Sequence, residues 1–546
     1  MLMALMLIMI VGFSVVETIG ISAIMPFIAI VSDTSLVEGG IYKTIFNFLG
    51  FHTPEQFIIV FGIVIVIFYI FRGIYFVILT YSTQRYANSI YKFNSKKALK
   101  VNLSIPYKVY AQKNSGELMH AVLWETRDIG KVVFHLLRLC SEFFTIIMVY
   151  SLIVVLNWQV TLIITVILFF VIIVFLYYLT KINSKQGKIK LVSSRKMSST
   201  LKESLGNLKF IKLKGNENEI LKSYNNTMEK YTGAELITNV LGAVPKGILE
   251  SLGFSFLIGV VVFIVWQFGD ARMVIPIISM YALAFFRILP SINRLLFEIN
   301  RIVYAEETLI KVYENVNQTT ENEGKKPVSF EKTITLENIC FQYVTGGAVI
   351  KDVSLKIYKG DKIAFTGESG SGKSTLVDII TGIHKPVEGV VLIDDVALTN
   401  DNIRSWRAKI GYIPQSPYLF DGTVAENVSF GSVYDEDKVK AALMKANIWD
   451  FLLQKDGLNT CVGDGGIQLS GGQQQRICIA RAIYDDPEIL VLDEATSALD
   501  NETEQKIMDE IYNISANKTL FIIAHRLTTI ERCSKIVKIA NGIVVV

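Results

Sequence analysis

Six stretches of the chain stay apolar for about as long as a helix needs to cross a bilayer, roughly 20 residues. They run over 3–30, 56–80, 132–156, 159–180, 238–267 and 271–296. A backbone in lipid must satisfy its own hydrogen bonds, so runs of this length are expected to be helices. The first of them is far longer than the apolar core of a signal peptide and lacks basic residues before it, so it reads as a span. Short connections at 31–55, 157–158 and 268–270 alternate with long polar ones at 81–131 and 181–237. The long pair has a helical texture and no strand pattern, so spans two to five should continue as helices well past the bilayer. Breaks at Ser104-Ile105-Pro106 and Gly206-Asn207 are where each helix pair should turn back. After a polar linker at 315–329 the pattern changes. Apolar runs at 362–366, 489–493 and 520–524 are separated by glycines and helical stretches, which predicts buried parallel strands. The expected organisation is an α-helical membrane domain over 1–314 and an α/β domain over 330–546.

Composition sharpens this division. The chain is 51% hydrophobic and only 19% charged, below the roughly 25% of soluble proteins, which excludes an ordinary soluble enzyme. Its net charge of +4 is the sum of +11 over 1–326 and −7 over 327–546. The positive charge gathers in the two long connections, while the short ones hold only Lys43, with Arg272 beside the last. That asymmetry puts both long connections, both termini and the α/β domain on the cytoplasmic side. Basic residues that flank spans on one side argue against a nucleic-acid partner and leave membrane lipids as the surroundings. The five scattered cysteines form no CxxC pair, which fits a reducing compartment and gives no metal-ligand spacing.

Three motifs in the second half carry chemistry. GESGSGKST comprises Gly367, Glu368, Ser369, Gly370, Ser371, Gly372, Lys373, Ser374 and Thr375. It follows a predicted strand and opens a predicted helix, the context in which backbone N–H groups curl around a phosphate. Lys373 would reach the β- and γ-phosphates of ATP, and Ser374 would bind Mg²⁺. In ILVLDE, four apolar residues precede Asp493, placed to hold Mg²⁺, and Glu494, placed to polarise an attacking water. In LSGGQ, Ser470, Gly471, Gly472 and Gln473 precede a helix and make a second phosphate nest. One γ-phosphate needs only one nest, so the second would serve the nucleotide of another copy.

This order of P-loop, LSGGQ and LDEATSALD resembles the ATPase domain of ABC transporters over 327–546, and six preceding spans make the whole chain similar to an ABC exporter half-transporter. The resemblance implies further roles. Tyr343 would stack on adenine. Gln415 in GYIPQ would touch Mg²⁺ and sense the membrane domain. His525 in FIIAHR would stand at the γ-phosphate. Residues 497–500 match the D-loop, and 462–466 sit where exporters carry a coupling loop. The LSGGQ of one copy would cap the nucleotide of the other, so a homodimer is expected. A gated channel or regulator would tolerate eroded motif residues, and Lys373, Asp493 and Glu494 are intact. Where exporters carry a short basic elbow helix before the first span, this sequence opens almost directly in the span. A misassigned start and a version without the elbow are the two readings of that departure.

The cargo has to be read from the membrane half. Arg72, Lys246, Arg287 and Arg294 lie in or near spans two, five and six, where charge is costly and tends to mark a pathway. Arg72 and Arg287 lie about 24 Å into their spans from the outer side, at 1.5 Å per residue. Arg287 and Arg294 are seven residues apart and share a helix face. Together they would form a cationic belt for an anionic headgroup. Snorkelling arginines and a Lys246–Glu250 pair on one helix are the plainer alternative. Local wording favours the belt. ETIGISAIMPFIAI, AVPKGILESLGF, FFRILPSINRLL and NLKFIKLKG resemble bacterial flippases of lipid-linked oligosaccharides. That resemblance implies an undecaprenyl-pyrophosphate glycan, as used in protein N-glycosylation, moved across the bacterial inner membrane. Arg72, Arg287 and Arg294 match arginines of that family, and Lys246 stands where an arginine is expected. Residues 34–50, with Tyr42, Ile45, Phe46 and Phe48, resemble its amphipathic external helix. The alternative within exporters is another amphipathic cargo: lipid A, a drug or a peptide.

Overall fold

The computed structural model describes residues 2–32, 34–156, 158–268, 275–344, 346–493, 501–524, 530 and 532–545. Helices follow one another through its first part: α1 (Leu2–Ser32), α2 (Gly40–Phe48), α3 (Pro54–Ser104), α4 (Tyr107–Tyr110), α5 (Ser115–His120), α6 (Thr126–Leu156), α7 (Trp158–Gly206), α8 (Leu208–Lys214), α9 (Glu217–Phe268), α10 (Ile275–Tyr304) and α11 (Glu306–Val316). The last two residues of α11 take up the start of the polar stretch 315–329.

A long helix lies over each sequence-predicted span. Among the described residues, Leu2–Val31, Pro54–Ser104 and Ser115–Ser151 are long and apolar enough to cross a membrane. The stretches 159–180, 238–267 and 275–296 run in α7, α9 and α10, while 271–274 lie outside the described residues. Helix α3 has 51 residues and α7 has 49. At 1.5 Å per residue each exceeds about 70 Å, well over twice the roughly 30 Å thickness of a bilayer core. Both end where the sequence breaks: α3 at Ser104 before Pro106, and α7 at Gly206 before Asn207.

The chain divides into two compact units, one of Met1–Leu103 with Lys113–Gln318, the other of Ser104–Gln112 with Thr319–Val546. In the first unit α6 packs on α1 and α10, and α7 packs on α9 and α10. Helices α7 and α10 approach closely at Gly187, where a Cβ would meet the carbonyl oxygen of Tyr304 at 2.2 Å. Any larger residue there would force the two helices apart. Polar ties join the long helices away from the apolar stretches. Arg195 of α7 grips both oxygens of Glu125 at 2.6 and 2.8 Å, and His120 lies 3.1 Å from the same carboxylate. Glu125 ends a π-helical turn, Ala121–Glu125, between α5 and α6.

The second unit is the α/β domain. Its strands are β1 (Thr333–Gln342), β2 (Ala348–Tyr358), β3 (Lys362–Thr366), β4 (Glu388–Ile393), β5 (Val396–Ala397), β6 (Ile410–Ile413), β7 (Ile489–Asp493), β8 (Thr519–Ile523), β9 (Lys535–Ala540) and β10 (Ile543–Val545). Its helices are α12 (Lys373–Ile380), α13 (Ile403–Arg407), α14 (Val424–Val428), α15 (Glu436–Lys445), α16 (Trp449–Leu453), α17 (Gly471–Ile483) and α18 (Asn501–Ile514). An antiparallel sheet runs in the order β2-β1-β4-β5, and a second sheet runs β10-β9-β3-β8-β7-β6. The second is parallel except at β10, and its central β3, β8 and β7 are the three apolar runs read from the sequence. All five residues of β8 are buried, as a parallel strand covered on both faces requires.

Candidate functional site

The loop Gly367–Gly372 leaves the end of β3 and enters α12. Gly367 has φ +145°, and a Cβ there would meet the Ile539 carbonyl oxygen at 2.2 Å. Only glycine fits, so the loop can curl tightly beside β9. Lys373 is 5% exposed, and its Nζ donates to the carbonyls of Gly367 and Glu368 at 2.9 Å each. The ammonium is thereby turned back into the loop rather than out to solvent. The Ser371 hydroxyl is buried with no hydrogen-bond partner among the described residues. Such an orphan costs about 1–3 kcal/mol and calls for a ligand oxygen. Ser374 is exposed at the first turn of α12.

Asp493 closes β7 and accepts a 2.6 Å hydrogen bond from the Tyr412 hydroxyl of β6. Gln415 lies two residues beyond the end of β6. Tyr343, just past β1, bonds the Thr375 hydroxyl at 3.1 Å, which holds this ring against α12. The β3 loop, α12, β6 and β7 therefore bring Lys373, Thr375, Asp493 and Tyr343 into one neighbourhood. A donor-lined loop with an orphan hydroxyl fits a polyphosphate. Among the described residues no cluster of His, Cys, Asp and Glu is built to hold a metal unaided. A divalent cation at Ser374 and Asp493 would therefore complete its shell with phosphate oxygens and water, the ordinary habit of Mg²⁺.

Ser470 caps α17 through a capping box. Its hydroxyl accepts from the Gln473 N–H at 3.4 Å, and the Gln473 side chain accepts from the Ser470 N–H at 2.9 Å. Ser470 and Gly471 are exposed, so this helix start faces outward with the positive end of its dipole. Glu494, His525 and the D-loop residues 497–500 lie outside the described residues.

Two neighbours escaped the motif pattern. Asp378 lies four residues after Ser374, on the same face of α12. Burial pushes its carboxyl up to about 7, and the Asp493 carboxylate adds to the rise. His384 is 3% exposed and stacks on Phe341 at 4.8 Å, with Tyr343 and Tyr107 of α4 against its other sides at 5.4 and 5.7 Å. Burial, then the charge of Lys108, lowers its pKa and keeps the ring neutral.

The Asp378 shift has a measurable sign. The unfolded carboxyl titrates near 3.9, and the folded one holds its proton to about 7. Between those values the folded state binds more protons, so stability falls as pH rises through the interval. Asp378→Asn should remove that slope and stabilise the protein above pH 7 by on the order of 2–4 kcal/mol. Thermal melting from pH 4.5 to 8.5 checks this, and parallel curves for variant and wild type would contradict it.

The membrane unit distributes the four expected cargo residues unevenly. Arg72 and Arg294 line one cavity of about 250 Å³. Lys246 is exposed on α9 and does not line that cavity. The Arg287 side chain is outside the described residues. Neither cavity arginine stands alone. Arg72 donates to Glu17 at 2.6 Å and Arg294 to Glu142 at 2.5 Å. The carboxylates are 55 and 152 positions away in sequence, which is why the charge pattern hid them.

Comparison with known proteins bears on both units. Residues 6–289 match the ABC transporter transmembrane region, and residues 350–497 match the ABC transporter family. The chain is similar to the ATP-dependent lipid A-core flippase of Burkholderia pseudomallei, 30% identical over 80% of this chain and 74% of that protein. It is also similar to the heterocyst differentiation ATP-binding protein HepA of a Nostoc species, at 28% over 80% of this chain and 72% of that protein. The solved structure of a bacterial Atm1-family ABC exporter with ATP bound shares its fold, with TM-score 0.82 at 20% identity over 100% of this chain and 93% of that one. With a helical membrane unit and an ATPase unit on one polypeptide, the chain belongs to the ABC transporters as an exporter-type half-transporter that couples ATP hydrolysis to transport.

Proposed function

We propose that two copies of this chain form an ATP-driven flippase in the bacterial inner membrane, with both ATPase units cytoplasmic, for a glycolipid with a phosphate-bearing headgroup. The observation that carries the cargo class is the cavity where Arg72 and Arg294 meet the aromatic side chains of Phe13, Phe76 and Phe134. Guanidinium groups match phosphate oxygens, and the aromatic lining suits an acyl or prenyl chain. Curated relatives named as lipid A-core flippases favour a lipid A-like cargo.

A lipid-linked oligosaccharide shares that headgroup chemistry, and α2 favours it as the second reading. Tyr42 and Phe46 pack on the Ile30, Val37 and Phe57 cluster, while Phe48 is 86% exposed. A short helix with one packed face and one bare apolar face suits the outer interface and a polyprenyl tail.

In the ATPase unit, the Gly367–Gly372 backbone would cradle the phosphates while Lys373 exchanges its two loop carbonyls for phosphate oxygens. Tyr343 would receive the adenine, and Ser374, Gln415 and Asp493 would hold Mg²⁺, which supplies neutralisation of the phosphate charge. Ser470, Gly471, Gly472 and Gln473 of the second copy would close the site. Glu494 would draw the proton from the attacking water, with His525 at the γ-phosphate. Catalysis of this kind is positioning and charge stabilisation.

The test is flipping in proteoliposomes with labelled lipid A-core and labelled lipid-linked oligosaccharide. One should move in an ATP-dependent way, and Arg72→Ala and Arg294→Ala should each slow it by about tenfold, the scale of one charge-assisted hydrogen bond. Transport unaffected by either substitution would refute the cargo class.

A further inference from the structure

A second cavity lies farther along α6. It has a volume of about 430 Å³, and Trp124, Arg127, Lys131, Lys190, Ser194 and Tyr231 are among the side chains that line it. All six belong to the polar helix extensions, outside the apolar stretches. Arg127, Lys131, Arg138, Glu142 and Thr145 are spaced by four, seven, four and three residues, so they share one face of α6. The first two line this cavity, and the last three line the cavity of Arg72 and Arg294. From Lys131 to Arg138 the helix advances only about 10 Å, at 1.5 Å per residue.

The two cavities differ in chemistry. Charges in the second are largely engaged with one another. Asp128 takes Lys131 at 2.9 Å and Lys190 at 2.7 Å, and Glu125 is held by Arg195. Such a wall offers leftover N–H donors and carboxylate lone pairs in several directions, beside the hydroxyl oxygens of Ser194 and Ser198. An aromatic surface stands open next to it. Trp124 is 53% exposed, and the Arg127 guanidinium lies 5.9 Å from its ring centre. Trp124 and Glu125 reach the cavity on the π-helical turn Ala121–Glu125, and turns of this kind are rare and gather at functional sites. A flat apolar ring beside dense donors and acceptors suits a pyranose, whose C–H face packs on the ring while its hydroxyls bond the polar groups.

A glycolipid cargo sets the need for such a place. Its sugars are rich in hydroxyls, which cannot lie among apolar spans without partners. The cavity of Arg72 and Arg294 holds about 250 Å³, below the roughly 300–1,000 Å³ of ordinary ligand pockets, which is room for a headgroup and not for a glycan. Resting on the glycolipid reading above, we propose that the second cavity is a glycan subsite. It seats sugars near the phosphate end of the oligosaccharide on Trp124 while the headgroup lies at Arg72 and Arg294. It thereby makes the transporter selective for lipids that already carry their glycan.

Equilibrium binding to the intact protein in nanodiscs tests this with two pairs of lipids: undecaprenyl pyrophosphate with and without an attached oligosaccharide, and lipid A with and without its core. In whichever pair the wild type binds, the sugar-bearing member should bind about five- to tenfold more tightly, the range of one well-placed aromatic contact. Trp124→Ala should abolish that gain and leave the bare member unchanged. Trp124→Phe keeps a flat ring and should keep most of the gain. Arg72→Ala should weaken both members alike, because it acts on the shared headgroup. Equal binding of the two members by wild type would overturn the inference, as would a gain that survives Trp124→Ala or a loss in that variant that is the same for both members. Binding of neither pair would remove the glycolipid reading and the inference with it. Undecaprenol and dephosphorylated lipid A read the headgroup separately. If each binds as well as its phosphorylated form, the anionic-headgroup reading falls, while the sugar-dependent gain and its loss in Trp124→Ala still decide the glycan subsite.

Discussion

Glutamine in place of Glu494 should leave ATP binding intact and lower turnover by about 10²–10⁴-fold, the usual share of a general base. The residue follows Asp493, whose carboxylate closes the buried strand β7. A carboxamide keeps the size and hydrogen-bonding reach of the carboxylate but takes up no proton from water. The P-loop, with Lys373 already turned into it, would still hold the phosphates. The variant should therefore accumulate with nucleotide bound. Hydrolysis at saturating ATP, measured beside binding of a fluorescent nucleotide, separates the two steps. Near-normal turnover would remove Glu494 from the role of base.

Two inactive versions of the chain should restore one another when mixed. Lys373→Ala removes the phosphate-binding ammonium, and Gly472→Asp places a carboxylate in the outward-facing start of α17, where a phosphate is expected. Each alone should lose at least about 10²-fold in ATPase activity, as losses of a preorganised charge at a reacting phosphate do. In a mixed dimer, one composite site combines the intact P-loop of one copy with the intact LSGGQ of the other. Co-expression with two affinity tags isolates that species. Activity well above either parent is the expected result. Activity no higher than the parents would contradict a site shared between two copies.

The features legible in the sequence are those that local pattern dictates. Residues 363–365 are apolar and a glycine-rich loop follows at 367, and 362–366 form β3 with the loop at its end. Pro106 cannot extend a helix and biases the residue before it away from helical backbone, and α3 stops just ahead of it. Ser470 and Gln473 stand three apart, the spacing of a capping box, and they make one. What the sequence hid is pairing across distance. Nothing near Arg294 announces Glu142, because only the packing of α10 on α6 joins them. Tyr412 reads as one residue of GYIPQ until β6 pairs with β7 and sets its hydroxyl on Asp493. His384 carries no motif at all, and its position between Phe341, Tyr343 and Tyr107 follows from three separate segments meeting. The cavity is hidden for the same reason: its side chains come from four helices.

Residues 104–112 belong with the ATPase unit although they are threaded between α3 and α5. The Ser104 carbonyl accepts from the Glu321 N–H at 2.8 Å, and Tyr107 covers one edge of His384. During synthesis this segment leaves the ribosome long before the strands it completes, so the ATPase unit is finished by a piece already waiting at the membrane. A fragment starting at Thr319 would expose the buried face of His384 beside Tyr343. Nucleotide affinity measured on such a fragment would describe a domain missing one of its own walls.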